Sequence, residues 1–308
     1  MTNSPEWLRG CATALVTPFD SNLKVDEECF RALLKRQISC GVKILVPCGT
    51  TGESATMTVE EDQSVIKAAV EIARESGAKV IAGTGSNDTM AAVEYTFAAK
   101  DLGADAALVV APYYNKPSED GMFAHFATIA TSTKDFPIVL YNVPGRAASN
   151  ISARTTLRLA NEFPNIVGIK EASGNFSQIM EIVANRPPGF KVLAGDDATA
   201  LPLICIGADG LVSVCSNEFP QEMSTMIDKA LAGELETAKA LHYRLLPVME
   251  ANFIEPSPAP CKFVMSEMGI LSEQLRLPLV PVGETTQKRL RELLTEVRLD
   301  KTNSVGVG

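Results

Sequence analysis

The 308-residue sequence is short of the residues on which several common chemistries depend. It holds two histidines, His125 and His242, and both fall in stretches of helical spacing. A His-rich zinc site or a His-based triad therefore has few candidates, and a packed imidazole is the ordinary role for each. The seven cysteines are an odd number, none forms a C-x-x-C pair, and the chain is long enough to build its own core. Free thiols in a reducing, cytoplasmic setting are expected. Basic residues are outnumbered, 28 Lys and Arg against 37 Asp and Glu, and no basic cluster stands out. That argues against nucleic-acid or membrane-surface partners. No apolar run approaches the roughly 18 residues of a membrane span. The opening Met1–Trp7 has neither a basic nor an apolar leader region, so no secretory signal is expected. Two nucleotide motifs are also missing: the segment from Gly83 lacks the third glycine of G-x-G-x-x-G, and no G-x-x-x-x-G-K loop follows Gly49.

What is present is a rhythm. Short apolar runs end in Gly, Pro, Thr or Asn, and each is followed by an amphipathic stretch. The runs span Ala12–Thr17, Ile44–Pro47, Val80–Gly83, Ala106–Ala111, Ile138–Asn142, Ile166–Lys170, Val192–Gly195 and Gly210–Val214. They are apolar at nearly every position, as strands buried on both faces must be. The stretches between them carry helical spacing. Val65, Ala69 and Ile72 form one stripe that Gly77 ends, with Thr58 and Glu61 placed to cap it. Val93 and Phe97 form another, stopped at Gly103. Eight such units predict a (β/α)8 TIM barrel closed by a helix at Pro220–Ala232. A doubly wound open sheet is the alternative. After Gly233 the strands cease. Helices are expected at Glu234–Asn252, Cys261–Met268 and Thr286–Val297, broken by Pro256, Pro258 and Pro260 and ending in a frayed tail from Lys301. The chain thus divides into a barrel, 1–233, and a C-terminal helical domain, 234–308.

In such barrels chemistry sits where the strands run out. The lysines separate by that criterion. Lys43, Lys79 and Lys191 precede apolar runs, where they can snorkel to water, whereas Lys170 ends one. An ammonium at the mouth loses hydration, which favours the neutral amine that can form a Schiff base with a carbonyl compound. The competing role is a structural lysine paired with Glu171 or Asp196. Thr50 and Thr51 lie between two glycines at a strand-to-helix turn, fit to hold a small carboxylate or simply to cap. Tyr113, Tyr114 and Tyr141, three of five tyrosines, all fall at strand ends, where a phenol can relay protons or only pack. Arg146, in a Pro-Gly loop, suits bidentate carboxylate binding or is a solvated charge.

GTTGES (Gly49–Ser54), PYYNKPS (Pro112–Ser118), YNVPGR (Tyr141–Arg146), IVGIKEASGN (Ile166–Asn175) and AGDDA (Ala194–Ala198) resemble the motifs of the pyruvate-dependent class I aldolases, most closely the dihydrodipicolinate synthase family. The resemblance runs from about Gly10 to Arg298. It implies an imine between Lys170 and pyruvate, needing no metal and no other cofactor, whose enamine attacks L-aspartate 4-semialdehyde. Tyr141 would relay the proton, and Thr50 would link it to Tyr114, which in this family comes from the neighbouring subunit. Thr51 would hold the pyruvate carboxylate and Arg146 that of the aldehyde, with Gly195 and Val212 lining the pocket by backbone. A homo-oligomer follows, a tetramer built as a dimer of dimers. The sequence departs from the family at Ala147-Ala148, where Thr-Gly is usual. It departs again in the cleft where lysine-inhibited members bind lysine. Ser54, Ala55, Asn87 and Tyr113 match that cleft, but Ala91 stands for a glutamate, and Val59 and Asp62 replace polar or His positions. Weak or no inhibition by lysine is expected. Cys48 is read as a small hydrophobe at a strand end. The alternatives are a 2-keto sugar-acid lyase of the N-acetylneuraminate lyase type, which usually has Ser at the place of Thr50 and no equivalent of Arg146, and a non-catalytic binding barrel.

Overall fold

The structure, a computed structural model, describes residues 5–303. Eight parallel strands follow one another around a closed barrel. They are β1 (Gly10–Ala14), β2 (Ile44–Val46), β3 (Lys79–Gly83), β4 (Ala106–Val110), β5 (Ile138–Asn142), β6 (Ile166–Glu171), β7 (Lys191–Ala194) and β8 (Gly210–Ser213). Closure is made by β8 against β1, from Gly10 opposite Gly210 to Thr13 opposite Ser213. The crossovers carry α1 (Glu27–Ser39), α2 (Val59–Ser76), α3 (Thr89–Leu102), α4 (Glu119–Ser132), α5 (Pro144–Ala147), α6 (Ala153–Glu162), α7 (Phe176–Asn185) and α8 (Asp197–Cys205). Then come α9 (Pro220–Leu231), α10 (Leu235–Ala251), α11 (Ala259–Glu267) and α12 (Glu284–Asn303).

The helices begin and end where local chemistry directs. Thr58 and Glu61 form a reciprocal capping box at the start of α2, and Gly77 ends it with φ 78°. Asp88 accepts from the Met90 and Ala91 N–H groups at the start of α3, and Gly103 closes it at φ 90°. The stripe predicted on α3 is corrected: Val93 is buried but Phe97 is 40% exposed. The buried side of α3 carries the small residues Ala92, Thr96 and Ala99 instead. The first strand is also shifted. It starts at Gly10 and stops at Ala14 rather than spanning Ala12–Thr17, since the Val16 N–H donates to the Asn217 Oδ1 (3.1 Å) and leaves the ladder.

Strand residues alternate between two apolar clusters. Ala12, Ile44, Val46, Ile81, Leu108, Val139, Tyr141 and Val212 fill the barrel interior. Leu45, Val80, Ala82, Val109, Leu140 and Ile169 face the helices. The C-terminal helices add Leu245, Met249, Phe263, Val264, Leu290 and Leu293 to that same outer cluster. The extension therefore shares the barrel's core. The helix α12 continues through Asn303, past the tail predicted from Lys301, and Ser304–Gly308 lie outside the described residues.

Candidate active site

At the lower rim, Lys79 pairs with Asp105 (2.7 Å) and Lys191 lies 3.6 Å from Asp209. Lys43 is exposed. Lys170 differs from all three. It is 5% exposed, near the upper end of β6, and its Nζ stands 4.1 Å from the centre of the Tyr141 ring. Among the described residues it has no ion-pair partner.

A bulge explains why this amine points inward. Ile138 of β5 opposes Ile166, but Val139 opposes Gly168, so β6 holds one extra residue, Val167. Ile166 faces the helices and Val167 the interior, so strict alternation would place Ile169 inside and Lys170 outside. The extra residue reverses the phase. Ile169 packs outward, and Lys170 enters the barrel beside its cross-strand partner Tyr141.

The same register disposes of the structural pairing with Glu171. That carboxylate lies on the other face of β6, buried, and is fully engaged. It accepts from the Ser173 N–H (2.7 Å), the Gln178 Nε2 (3.1 Å) and the Asn142 Nδ2 (3.0 Å). Asn142 in turn accepts from the Ile151 N–H (2.9 Å). Glu171 thus ties the ends of β5 and β6 to the loop after Arg146. Asp196 is likewise committed, accepting from the Thr199 N–H at the start of α8.

After β2 the Gly49–Glu53 turn closes on itself. The Gly52 N–H donates to Gly49 O (3.0 Å) and the Glu53 N–H to Thr50 O (3.1 Å). Thr51 is buried and Thr50 sits exposed at the lip. Non-glycine residues with left-handed backbone flank the turn, Cys48 at φ 57° and Glu53 at φ 56°. A Cβ on Gly83 would stand 2.1 Å from Cys48 O, so only glycine in β3 admits this turn. Cys48 itself is buried, its thiol hydrogen-bonds Asp62 O (3.5 Å), and burial pushes its pKa well up. It is no nucleophile.

Val212 joins the interior cluster, and the Gly195 N–H donates to Glu171 O (2.8 Å). Arg146 projects from α5 without an ion-pair partner among the described residues, on a loop pinned by Ser149 Oγ donating to Pro112 O (2.5 Å). Tyr114 is 87% exposed, and no hydrogen bond joins it to Thr50 or Tyr141 within one chain. His125 and His242 are buried in helices α4 and α10, and burial pushes the His125 imidazole down to about 4. Four of the cysteines are buried, Cys29 and Cys40 half-buried, and Cys205 exposed, all unpaired.

The sequence of this barrel matches the model of the dihydrodipicolinate synthetase family over residues 7–297. The chain belongs to that family. It is 46% identical over 302 residues to the 4-hydroxy-tetrahydrodipicolinate synthase of Koribacter versatilis, covering 97% of this chain and 99% of that one. The dihydrodipicolinate synthase of Aquifex aeolicus superposes with a TM-score of 0.91 at 42% identity, covering 94% and 98% of the two chains. The chloride-inhibited dihydrodipicolinate synthase of Acinetobacter baumannii, solved with pyruvate, gives 0.91 at 40% identity over 94% and 99%.

Two features of this family member were not legible in its motifs. Ala148, where the family usually carries glycine, holds a left-handed φ of 53° as the cap of α5. Asp62 accepts from Ser54 Oγ (2.9 Å), and burial pushes its carboxyl up to about 6. A third is the pairing of Glu53 with Lys262; only Lys262's half had a signal, as a lone cation in a run, Ala259–Met265, that is otherwise apolar.

Proposed function

We propose that this chain condenses pyruvate with L-aspartate 4-semialdehyde through an imine on Lys170, as a 4-hydroxy-tetrahydrodipicolinate synthase. The observation that carries this reading is the Lys170 amine, held inside the barrel against Tyr141 with no carboxylate to neutralise it. The amine attacks the keto carbon of pyruvate, and water leaves as the imine forms. Loss of a methyl proton gives an enamine, with the imine nitrogen as the electron sink, so no metal or organic cofactor is required. The enamine carbon then bonds to the aldehyde carbon. The second substrate's own amine finally displaces Lys170.

The other residues are assigned the roles that the family resemblance implies. Tyr141 is the proton relay nearest the nitrogen. Thr51 and the amides of its turn receive the pyruvate carboxylate, and Arg146 the carboxylate of the aldehyde. Gly195 and Val212 line the pocket. Tyr114, almost wholly exposed, completes the relay through Thr50 of a second copy across a two-fold interface, and two such dimers form a tetramer. The protein acts in the cytoplasm, and lysine inhibits it weakly or not at all because Ala91 offers no carboxylate for the ammonium. Among the described residues no helix is long and apolar enough to cross a membrane.

Borohydride added with pyruvate should leave a reduced pyruvyl adduct on Lys170, visible by mass spectrometry. A coupled assay with the semialdehyde should then give turnover. Adduct formation with sugar-acid cleavage, and without that condensation, would assign the lyase reading instead.

A further inference from the structure

The seam between barrel and C-terminal helices contains a fully buried charged pair. Lys262, on α11, is fully buried, and its Nζ lies 2.5 Å from Glu53 Oε1, whose side chain is 1% exposed. Lys262 also donates to Gln274 O (2.9 Å) and stands 4.3 Å from the centre of the Phe19 ring. The second carboxylate oxygen of Glu53 accepts from the Arg276 N–H (3.1 Å). Arg276 in turn grips Glu61, at the start of α2, by two short hydrogen bonds (2.7 and 2.6 Å).

Glu53 is the last residue of the Gly49–Glu53 turn, two positions after Thr51, and its backbone is left-handed. Such a conformation in a non-glycine residue persists only where its surroundings hold it. A buried ion pair is weak evidence of stabilisation, because apolar side chains of similar volume would serve stability as well or better. Its value here is directional. The carboxylate is fixed at both oxygens by the extension, and the turn is fixed through the carboxylate.

We infer that the Glu53–Lys262 pair is a positioning device that sets the Thr50–Thr51 turn for the keto-acid carboxylate, making the C-terminal extension a working part of the active site. This rests on the proposed imine chemistry. The pair touches no substrate, and it acts on pyruvate capture through the turn.

The test uses the full-length chain with Glu53→Gln, Lys262→Met and both together. The double variant leaves no buried charge and keeps the test open if a single variant does not fold. Pyruvate is the probe, with KM and kcat from the coupled assay and half-saturation of borohydride trapping as an independent readout. Displacement of the turn by a fraction of an ångström should raise the KM and the trapping midpoint for pyruvate about 10-fold, with kcat changed less than about 3-fold. The double variant should show this shift at a near-native melting temperature. A double variant that captures pyruvate with the native midpoint overturns the inference, because a purely structural pair would move only stability. Absence of any trapped adduct in the unsubstituted protein would instead overturn the assigned chemistry, and the positioning role with it.

Discussion

Two lysines are buried among the described residues, and their surroundings differ in almost every respect. Lys262 sits at the seam with a carboxylate, a carbonyl oxygen and an aromatic face around its ammonium. Lys170 sits at the barrel mouth with an aromatic face and no carboxylate. Burial alone therefore does not mark a reactive amine. Burial without ionic compensation, at the end of a barrel strand, is what sets Lys170 apart. The seam gives its lysine a carboxylate partner; the mouth leaves its lysine without one among the described residues.

The sharpest way to break this contrast is to delete each amine. Lys170→Ala should reduce turnover more than about 10⁴-fold while leaving the melting temperature within a few degrees, measured by the coupled assay and by thermal unfolding. A folded variant with native turnover would remove the distinction altogether. Lys262→Met should do the reverse in kind: it leaves Glu53 charged and unpaired in the interior, at a cost of about 3–5 kcal/mol in denaturant unfolding. Little or no loss there would mean that the seam is wetter than its packing indicates.

A third comparison uses a carboxyl at the mouth. Asp197, at the start of α8, accepts from Ser213 Oγ and from the Val214 and Cys215 N–H groups, yet burial pushes it from the ordinary 3.8 up to about 6. Between those values the folded state binds more protons than the unfolded one, so this group lowers stability as pH rises from about 4 to 6. Asp197→Asn should abolish that component. Its stability relative to the native chain should increase across the window by on the order of 1–3 kcal/mol, read from urea unfolding at several pH values. A difference that stays flat with pH would show that the carboxyl titrates normally. The smallest effect is expected at Ala148, whose left-handed backbone suits glycine. Ala148→Gly should be stabilising or neutral, within about 1 kcal/mol, instead of showing the usual loss for that exchange. A clear loss of stability would contradict the strain assigned there.

Much of this was legible in the sequence, and the reasons are physical. Strands buried on both faces must be apolar throughout, so the barrel rhythm shows in composition alone. A charged residue closing such a strand stands out, which is how Lys170 separates from Lys79 and Lys191. What was not legible depended on register and on contacts between distant segments. The run Ile166–Lys170 shows no period that would reveal a bulge, so the inward turn of Lys170 needed the pairing of Val139 with Gly168. Phe97 fitted a helical stripe, but the buried flank of α3 is the one with Ala92, Thr96 and Ala99. Glu53 and Lys262 lie 209 positions apart, and no local pattern joins them.

The bulge at Val167 also makes the chemistry sensitive to chain length. Removal of one residue from β6 would leave an apolar, parallel strand able to pair with both neighbours, while its amine faced the helices and its acid faced the cavity. Composition and overall shape would survive such a lesion almost intact. Reactivity here is thus carried by parity, by whether the count of residues from the base of the sixth strand to its tip comes out on the right side of the wall.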